Sequence, residues 1–419
     1  MRPSVFVFNF HLEALTFMKI TSVDVMQIKS GNAGATRGAW SPVIVRVNTD
    51  EGISGYGEVG LAYGKGWRGG FGMVCDFAEV VIGLDPFKSD MIWNKLFRET
   101  FWGMGGGTVV SAAMSAIDVA LYDIKGKALN VPVYELLGGK QNDDLRVYAS
   151  QLQYGWGDKY PVGRLSDVKQ YAEVTEAIVD DGYDALKVDP FAVPKTGIEW
   201  NRRGPLTNQV LNEVVNRVAA MREAGGDDID IIIELHSNTD TTSAIQLAKA
   251  LEPLRIFYME EPVHPLNSDM MQIVAENTSI PLASGERIYT RFGYRNFFEN
   301  HSLKVLQPDL CTCGGISEAK KIAEMGQVYD CNVQAHVCGS PISKAAALQL
   351  EAAIPNFLIH EHHQRALGKE SRESCIYDYQ PIHGRYKVPD LPGIGQEPTQ
   401  EAIENSIVHT VSSTLRYSM

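Results

Sequence analysis

The sequence predicts an α/β protein whose main body is a (β/α)8 barrel of TIM type, preceded by a smaller α+β domain. Three observations predict it. From about residue 145, eight short apolar runs recur, each followed by a helical stretch. Before that point the pattern is different, with alternating strand-like runs giving way to a helical period. Polar residues stand where successive barrel strands should stop, and several are spaced by one βα unit.

In order, KITSVDVMQIK from Met18 alternates as a strand. SPVIVRVNTDEGISGYGEV gives two more runs around Asp50-Glu51-Gly52, a hairpin signal. Two glycine-rich loops are expected, SGNAGATRGAW (30–40) and LAYGKGWRGGFG (61–72). Helical periodicity then holds to about 129, clearest in VVSAAMSAIDVALYDIKGKAL, with small and apolar residues on one face. The barrel strands are LRVYAS (145–150), DALKVD (184–189), IDIIIEL (229–235), RIFYMEE (255–261), IPLASGE (280–286), LKVLQPD (303–309), CNVQAH (331–336) and FLIHEH (357–362). Near-continuous apolar strands alternating with helices mean a parallel sheet, and eight units mean a closed one. Residues 190–208 read as an inserted loop. The turn-rich last forty residues do not fit a ninth unit and are expected to return to the first domain. The boundaries are 1–17 for an extension, 18–146 for the first domain, 147–378 for the barrel and 379–419 for the tail.

With 419 residues, 44% hydrophobic and 21% charged, the chain is neither disordered nor fibrous. Its net charge of −13 argues against nucleic acid or an anionic membrane as partner. No apolar run is long enough to span a membrane. The six cysteines form no CxxC pair, and a barrel needs no disulfides, so a reduced, cytoplasmic location is expected. The apolar stretch before Met18 contains Glu13 and lacks a small-residue cleavage site, so a signal peptide is not expected, and an alternative start at Met18 is one explanation of the extension.

Glu234, Glu260 and Glu286 are spaced 26 and 26, one βα unit each, which puts them on adjacent strands at one rim. C-terminal strand ends are where barrel enzymes keep their active sites. Three carboxylates converging there repel unless a cation lies between them, and oxygen-only ligation suits Mg2+, or Mn2+ in its place. Asp309 and His336 are 27 apart, again one unit. A carboxylate on one strand orients a histidine on the next and raises its basicity, so this pair reads as a general base. His236, two residues after Glu234, is either a metal ligand or a proton donor, and its offset from the acid layer favours the donor. Glu361 would hydrogen-bond a developing oxyanion if protonated. Lys187 would bind a substrate carboxylate or pair with a metal ligand. HEHH (360–363) looks like zinc ligation but has no further spaced His or Cys ligand. A metal, a His–Asp base and a second acid suit removal of the weakly acidic proton beside a carboxylate.

On these residues the sequence resembles the enolase superfamily, in its mandelate racemase-like branch. The resemblance covers nearly the whole chain after Met18. It rests on VIGLDPF (81–87), SAIDVALYDIKGKALNVPVYELLGG (115–139), EEP (260–262), GER (285–287), QPD with CGG (307–315) and HGRYKVPDLPGIG (383–395). Within that branch it most resembles acid-sugar dehydratases of the galactonate and mannonate type, whose third-strand acid-x-His is here Glu234-Leu235-His236. The resemblance implies Mg2+ ligation by Glu234, Glu260 and Glu286, and a base dyad of His336 and Asp309. It further implies His236 as leaving-group acid, Glu361 as eighth-strand stabiliser, and a cap formed by the first domain with the tail. Loops 30–40 and 61–72 would then choose the substrate through Arg37, Trp40, Tyr63, Lys65, Trp67 and Arg68, with Arg287 of GER a further contact. Two departures are visible: Glu234 stands where relatives usually have Asp, and the second-strand Lys-x-Lys of racemases is Lys187-Val188-Asp189.

The expected activity is Mg2+-dependent dehydration of an aldonate or aldarate to a 2-keto-3-deoxy acid, by a cytoplasmic homo-oligomer whose partner is a small-molecule sugar acid. The alternatives are an epimerase, racemase or cycloisomerase on the same scaffold, or a metal-binding regulator without turnover.

Overall fold

The computed structural model describes residues 17–28, 40–157, 165–191 and 201–413. The N-terminal meander is as expected: β1 (Ile20–Gln27), β2 (Val43–Thr49) and β3 (Ser54–Val59) are antiparallel neighbours. Val25 lies opposite Val45, and Val45 opposite Gly57. Gly52 closes the hairpin at φ 75°, a left-handed conformation that glycine adopts without steric cost. Helices α1 (Trp67–Val81) and α2 (Thr108–Leu129) pack on this sheet. A Cβ on Gly57 would stand 2.0 Å from the Ala116 carbonyl oxygen, so the small residues of β3 and α2 are a condition of their contact.

The second glycine-rich loop is shorter than the sequence suggests, because α1 begins at Trp67. The glycines there serve packing rather than turning. A Cβ on Gly70 would meet Val59 Cγ1 at 2.4 Å.

The eight predicted barrel strands are all present: β4 (Asp144–Ser150), β5 (Ala185–Val188), β6 (Asp230–Glu234), β7 (Ile256–Glu260), β8 (Leu282–Ser284), β9 (Val305–Leu306), β10 (Asn332–Val333) and β11 (His360–His363). Each pairs in parallel with its neighbour, and β11 pairs with β4. The ring closes just before β11, where the Val333 amide donates to Asn356 O and the Leu358 amide to Val333 O, both at 2.8 Å. Alternate strand residues (Tyr148, Ala185, Ile232, Tyr258, Ala283, Val305 and Ile359) fill the interior, as a packed barrel requires.

The tail returns to the first domain, as expected. It crosses β4 through β12 (Arg385–Lys387) and ends in β13 (Ile407–Ser412), antiparallel to β1. The motifs behind the family resemblance dock the two halves. Asp118 of α2 accepts from the Ser317 amide (2.9 Å) and hydroxyl (2.6 Å) beside CGG, and a Cβ on Gly315 would meet Asp118 Oδ2 at 2.3 Å. Asp123 of α2 accepts from the amides of Tyr56 and Ile394, both at 2.9 Å, which ties cap sheet and tail to one carboxylate. Among the described residues no helix is long and apolar enough to cross a membrane.

Candidate active site

The barrel strands carry their polar residues to one mouth, where Gly60, Ala62 and Tyr63 of the loop after β3 line a cavity of about 350 Å3. Its wall includes Lys187, Glu234, His236, Glu286, Arg287, Asp309, His336 and Glu361. The one-unit spacing read from sequence therefore brings its residues together. Glu234 and Glu260 are direct cross-strand partners on β6 and β7, and Glu286 stands just beyond β8.

Lys187, 1% exposed at its side chain, is the central cation. Its ammonium lies 2.9 Å from Glu260 Oε2, 3.3 Å from Glu234 Oε2 and 3.0 Å from Glu361 Oε1. Burial alone would lower its pKa, but Glu260 and Glu361 outweigh that and hold it well above the usual lysine value. Of the two roles open to Lys187, the structure shows it paired with the acids.

His336 is held on both sides. Its Nδ1 is 2.8 Å from Asp309 Oδ2 and its Nε2 is 3.0 Å from Glu286 Oε2. Burial would favour the neutral ring, yet the charge of Glu286 and the bond to Asp309 raise its pKa well above the usual value. Asp309 is itself oriented by the Cys311 amide at 2.7 Å.

His236 follows the end of β6 in a left-handed turn, φ 47°. Its amide donates to Glu234 Oε1 at 2.8 Å, and its ring reaches the cavity with the side chain 36% exposed. Glu361 accepts from Ser150 Oγ (2.7 Å) and the Val337 amide (2.9 Å). Burial opposes its ionisation, but Lys187 and His336 push its pKa far below the usual carboxylate range. In this arrangement Glu361 accepts hydrogen bonds rather than donating one.

The donor set suits a hard divalent cation. Five carboxylates (Glu234, Glu260, Glu286, Asp309 and Glu361) face two cationic groups, Lys187 and His336. Burial and the neighbouring charges of Glu260 and Glu286 raise the pKa of Glu234 well above normal, and its carboxyl contacts that of Glu260. A cation of double charge relieves such a cluster, and its oxygens are the ligands Mg2+ prefers. Among the described residues no three such side chains already form a metal cage, since Lys187 and His336 take up the oxygens.

The substrate-contact expectations fare unevenly. Tyr63 and Arg287 line the cavity, but Trp40, Trp67 and Arg68 are not on its wall. Trp40 is buried, and Trp67 with Arg68 sits in the first turn of α1, the guanidinium stacked on the indole at 4.4 Å. Lys65 is likewise off the wall, and Arg37 lies outside the described residues. Arg287 is held by Glu261 of EEP, with Nε 3.1 Å from Oε1 and Nη2 on Oε2.

HEHH divides by strand alternation, which explains why it is no metal cluster. His360 pairs with buried Glu351 (2.5 Å), and His362 with Tyr386 Oη (2.8 Å), while His363 faces the cavity. Sequence reasoning missed the cavity residues Gln151, Tyr154, Cys338, His363 and Arg365. His363 is the last residue of β11 and the others follow β4, β10 and β11, where only the strand-end position hinted at a role. Asp189 is bound by its own loop, to the Phe191 amide (2.9 Å) and Arg202 Nη1 (3.2 Å), and is absent from the wall.

A closed barrel, capped by a sheet that shares the tail, with acids and a His–Asp pair at its mouth, is the architecture of an enolase-type enzyme. Residues 18–138 match the mandelate racemase/muconate lactonizing enzyme N-terminal domain, and residues 170–402 match the enolase C-terminal domain-like family. The chain belongs to this family. It is 34% identical to the D-xylonate dehydratase of Haloferax volcanii over 370 residues, 87% of this chain and 85% of that protein. It is 35% identical to the D-galactonate dehydratase of Variovorax paradoxus, over 86% and 90% of the two chains. A crystal structure of an enolase superfamily member from Salmonella Typhimurium superposes with a TM-score of 0.91 at 54% identity, covering 94% of this chain and all (100%) of that one.

Proposed function

We propose that this protein is a hydro-lyase that dehydrates a sugar acid to a 2-keto-3-deoxy acid. The observation that carries the reading is the placement of His336, braced by Asp309 at 2.8 Å, on the same cavity as His236. The sugar-acid dehydratases among its relatives support the substrate class.

Asp309 accepts the Nδ1 proton of His336, and Nε2, which here faces Glu286 at 3.0 Å, would take a proton from the substrate's α-carbon in the form where Glu286 serves a metal and the ring is neutral. Mg2+, held by Glu234, Glu260 and Glu286, would supply Lewis-acid stabilisation of the charge that develops on the substrate carboxylate. Lys187 and the Val337 amide keep Glu361 in place beside the acid cluster. His236, on the exposed side of the acid layer, donates the proton with which the β-hydroxyl leaves as water. The enol then ketonises. One proton and one hydroxide leave the substrate, so no oxidant or reductant is needed. Asp189, at the second-strand position where racemases carry a lysine base, is engaged by Arg202 and off the cavity wall, which favours one-face elimination over epimerisation.

The test is turnover of an acid-sugar panel with Mg2+, scored for 2-keto acid and compared with metal-free controls. Keto acid formed only with metal supports the reading. An α-epimer without keto acid contradicts it.

A further inference from the structure

The cavity wall carries two chemically different sets of groups. One is the carboxylate cluster with the base. The other is a set of donors at the end of β11 and in the segments after β4 and β11, and nothing in the proposed reaction uses them.

Arg365 lines the cavity and is half-buried, with its guanidinium over the Tyr63 ring at 5.7 Å. Among the described residues it has no carboxylate partner, although every acid of the cluster already has a cation or amide. His363, on the same wall, accepts the Arg365 amide at Nδ1 (3.1 Å). Its remaining nitrogen, Nε2, is therefore a donor in the neutral ring. Burial lowers its pKa to about 3 against the opposing charge of Glu361, with the cation of Arg365 adding to the lowering, which keeps the ring neutral.

Gln151 completes the set. The Asp189 amide donates to Gln153 Oε1 at 3.2 Å, so Gln153 Nε2 must be the donor to Gln151 Oε1, at 2.5 Å. That chain fixes both amides and leaves Gln151 only N–H donors to offer the cavity it lines. Gln151 is held at φ 70°, a left-handed conformation that costs a non-glycine residue and is retained where the surroundings require it.

We propose that Arg365, His363 and Gln151 form a subsite for a second carboxylate, so that the substrate is a sugar diacid, an aldarate, rather than a monoacid. The inference rests on the dehydratase reading and narrows its substrate. A planar guanidinium pairs with a carboxylate through two parallel hydrogen bonds, which a terminal CH2OH cannot accept in the same way. A partly buried cation and two donors left unpaired by a monoacid are a penalty that selects against it.

The experiment compares galactarate, glucarate and mannarate with galactonate, gluconate and mannonate, using wild-type enzyme, Arg365→Met and Arg365→Lys, each loaded with Mg2+ and checked for native circular dichroism. The expected kcat/KM for the best diacid exceeds that of its matching monoacid by about 100-fold or more. Arg365→Met should bring the diacid-to-monoacid ratio of kcat/KM down to about one, with Arg365→Lys between. Monoacids turned over as well as diacids, or equal losses on both in Arg365→Met, would overturn the diacid assignment and leave the dehydratase reading standing. No keto acid from either series would overturn the dehydratase reading and the diacid assignment together.

Discussion

Glu58, on cap strand β3, accepts hydrogen bonds from the amide (3.0 Å) and hydroxyl (2.6 Å) of Ser340, at the head of the barrel helix Pro341–Ala353. The Ser343 amide adds a third at 3.3 Å. Two residues on, the Gly60 amide donates to Cys311 O at 2.9 Å. One cap segment therefore grips the loop after His336 and the loop after Asp309. Removing the carboxylate leaves buried donors unpaired, so Glu58→Ala should lose about 2–4 kcal/mol of stability. It should also lower kcat more than KM rises, because the two halves of the base are set loose. Thermal unfolding and steady-state kinetics check both, and an unchanged kcat would separate the clasp from catalysis.

Burial pushes the Glu58 pKa up to about 7, against the lowering effect of its bonds from Ser340. The folded state then binds a proton more tightly than the unfolded chain. Its contribution is fully present below about pH 4.5 and is lost as pH rises through about 7. The melting-temperature advantage of wild type over Glu58→Gln should shrink across that window and level off above it. A difference that is flat with pH would contradict the assignment.

Lys187 compensates three buried carboxylates. Lys187→Met should destabilise the metal-free protein by about 3–5 kcal/mol, the usual result of breaking a buried ion pair from one side. Mg2+ should recover more stability in this variant than in wild type, since a bound ion stabilises the state that binds it. Melting curves with EDTA and with excess Mg2+ measure both effects.

EDTA should abolish turnover, and Mg2+ or Mn2+ should restore it. Glu260→Gln should weaken metal binding measured by calorimetry. Full activity in thoroughly demetallated protein would rule out the carboxylate site.

The eight strands were legible because each is a short apolar run ended by a polar residue. The acids were legible because a βα unit has a nearly constant length. Trp67 and Arg68 were misplaced because Gly69 and Gly70 read as loop, whereas Gly70 is small to let α1 approach Val59. Glu58 carries no signal in the sequence, because its partner Ser340 lies 282 residues away. Arg365, His363 and Gln151 escaped for the same reason. Their roles depend on which loops meet over the mouth, and no periodicity encodes that.

The central claim is that His336 removes the α-proton and His236 assists departure of the β-hydroxyl. NMR in D2O on His336→Asn and His236→Asn, with Mg2+ and a substrate found in the acid-sugar panel, tests it most directly. The account predicts that His336→Asn loses both α-proton exchange and keto-acid formation. His236→Asn should lose keto acid yet still exchange the α-proton, because the enediolate forms and returns. Keto acid formed by His336→Asn at the wild-type rate would contradict it.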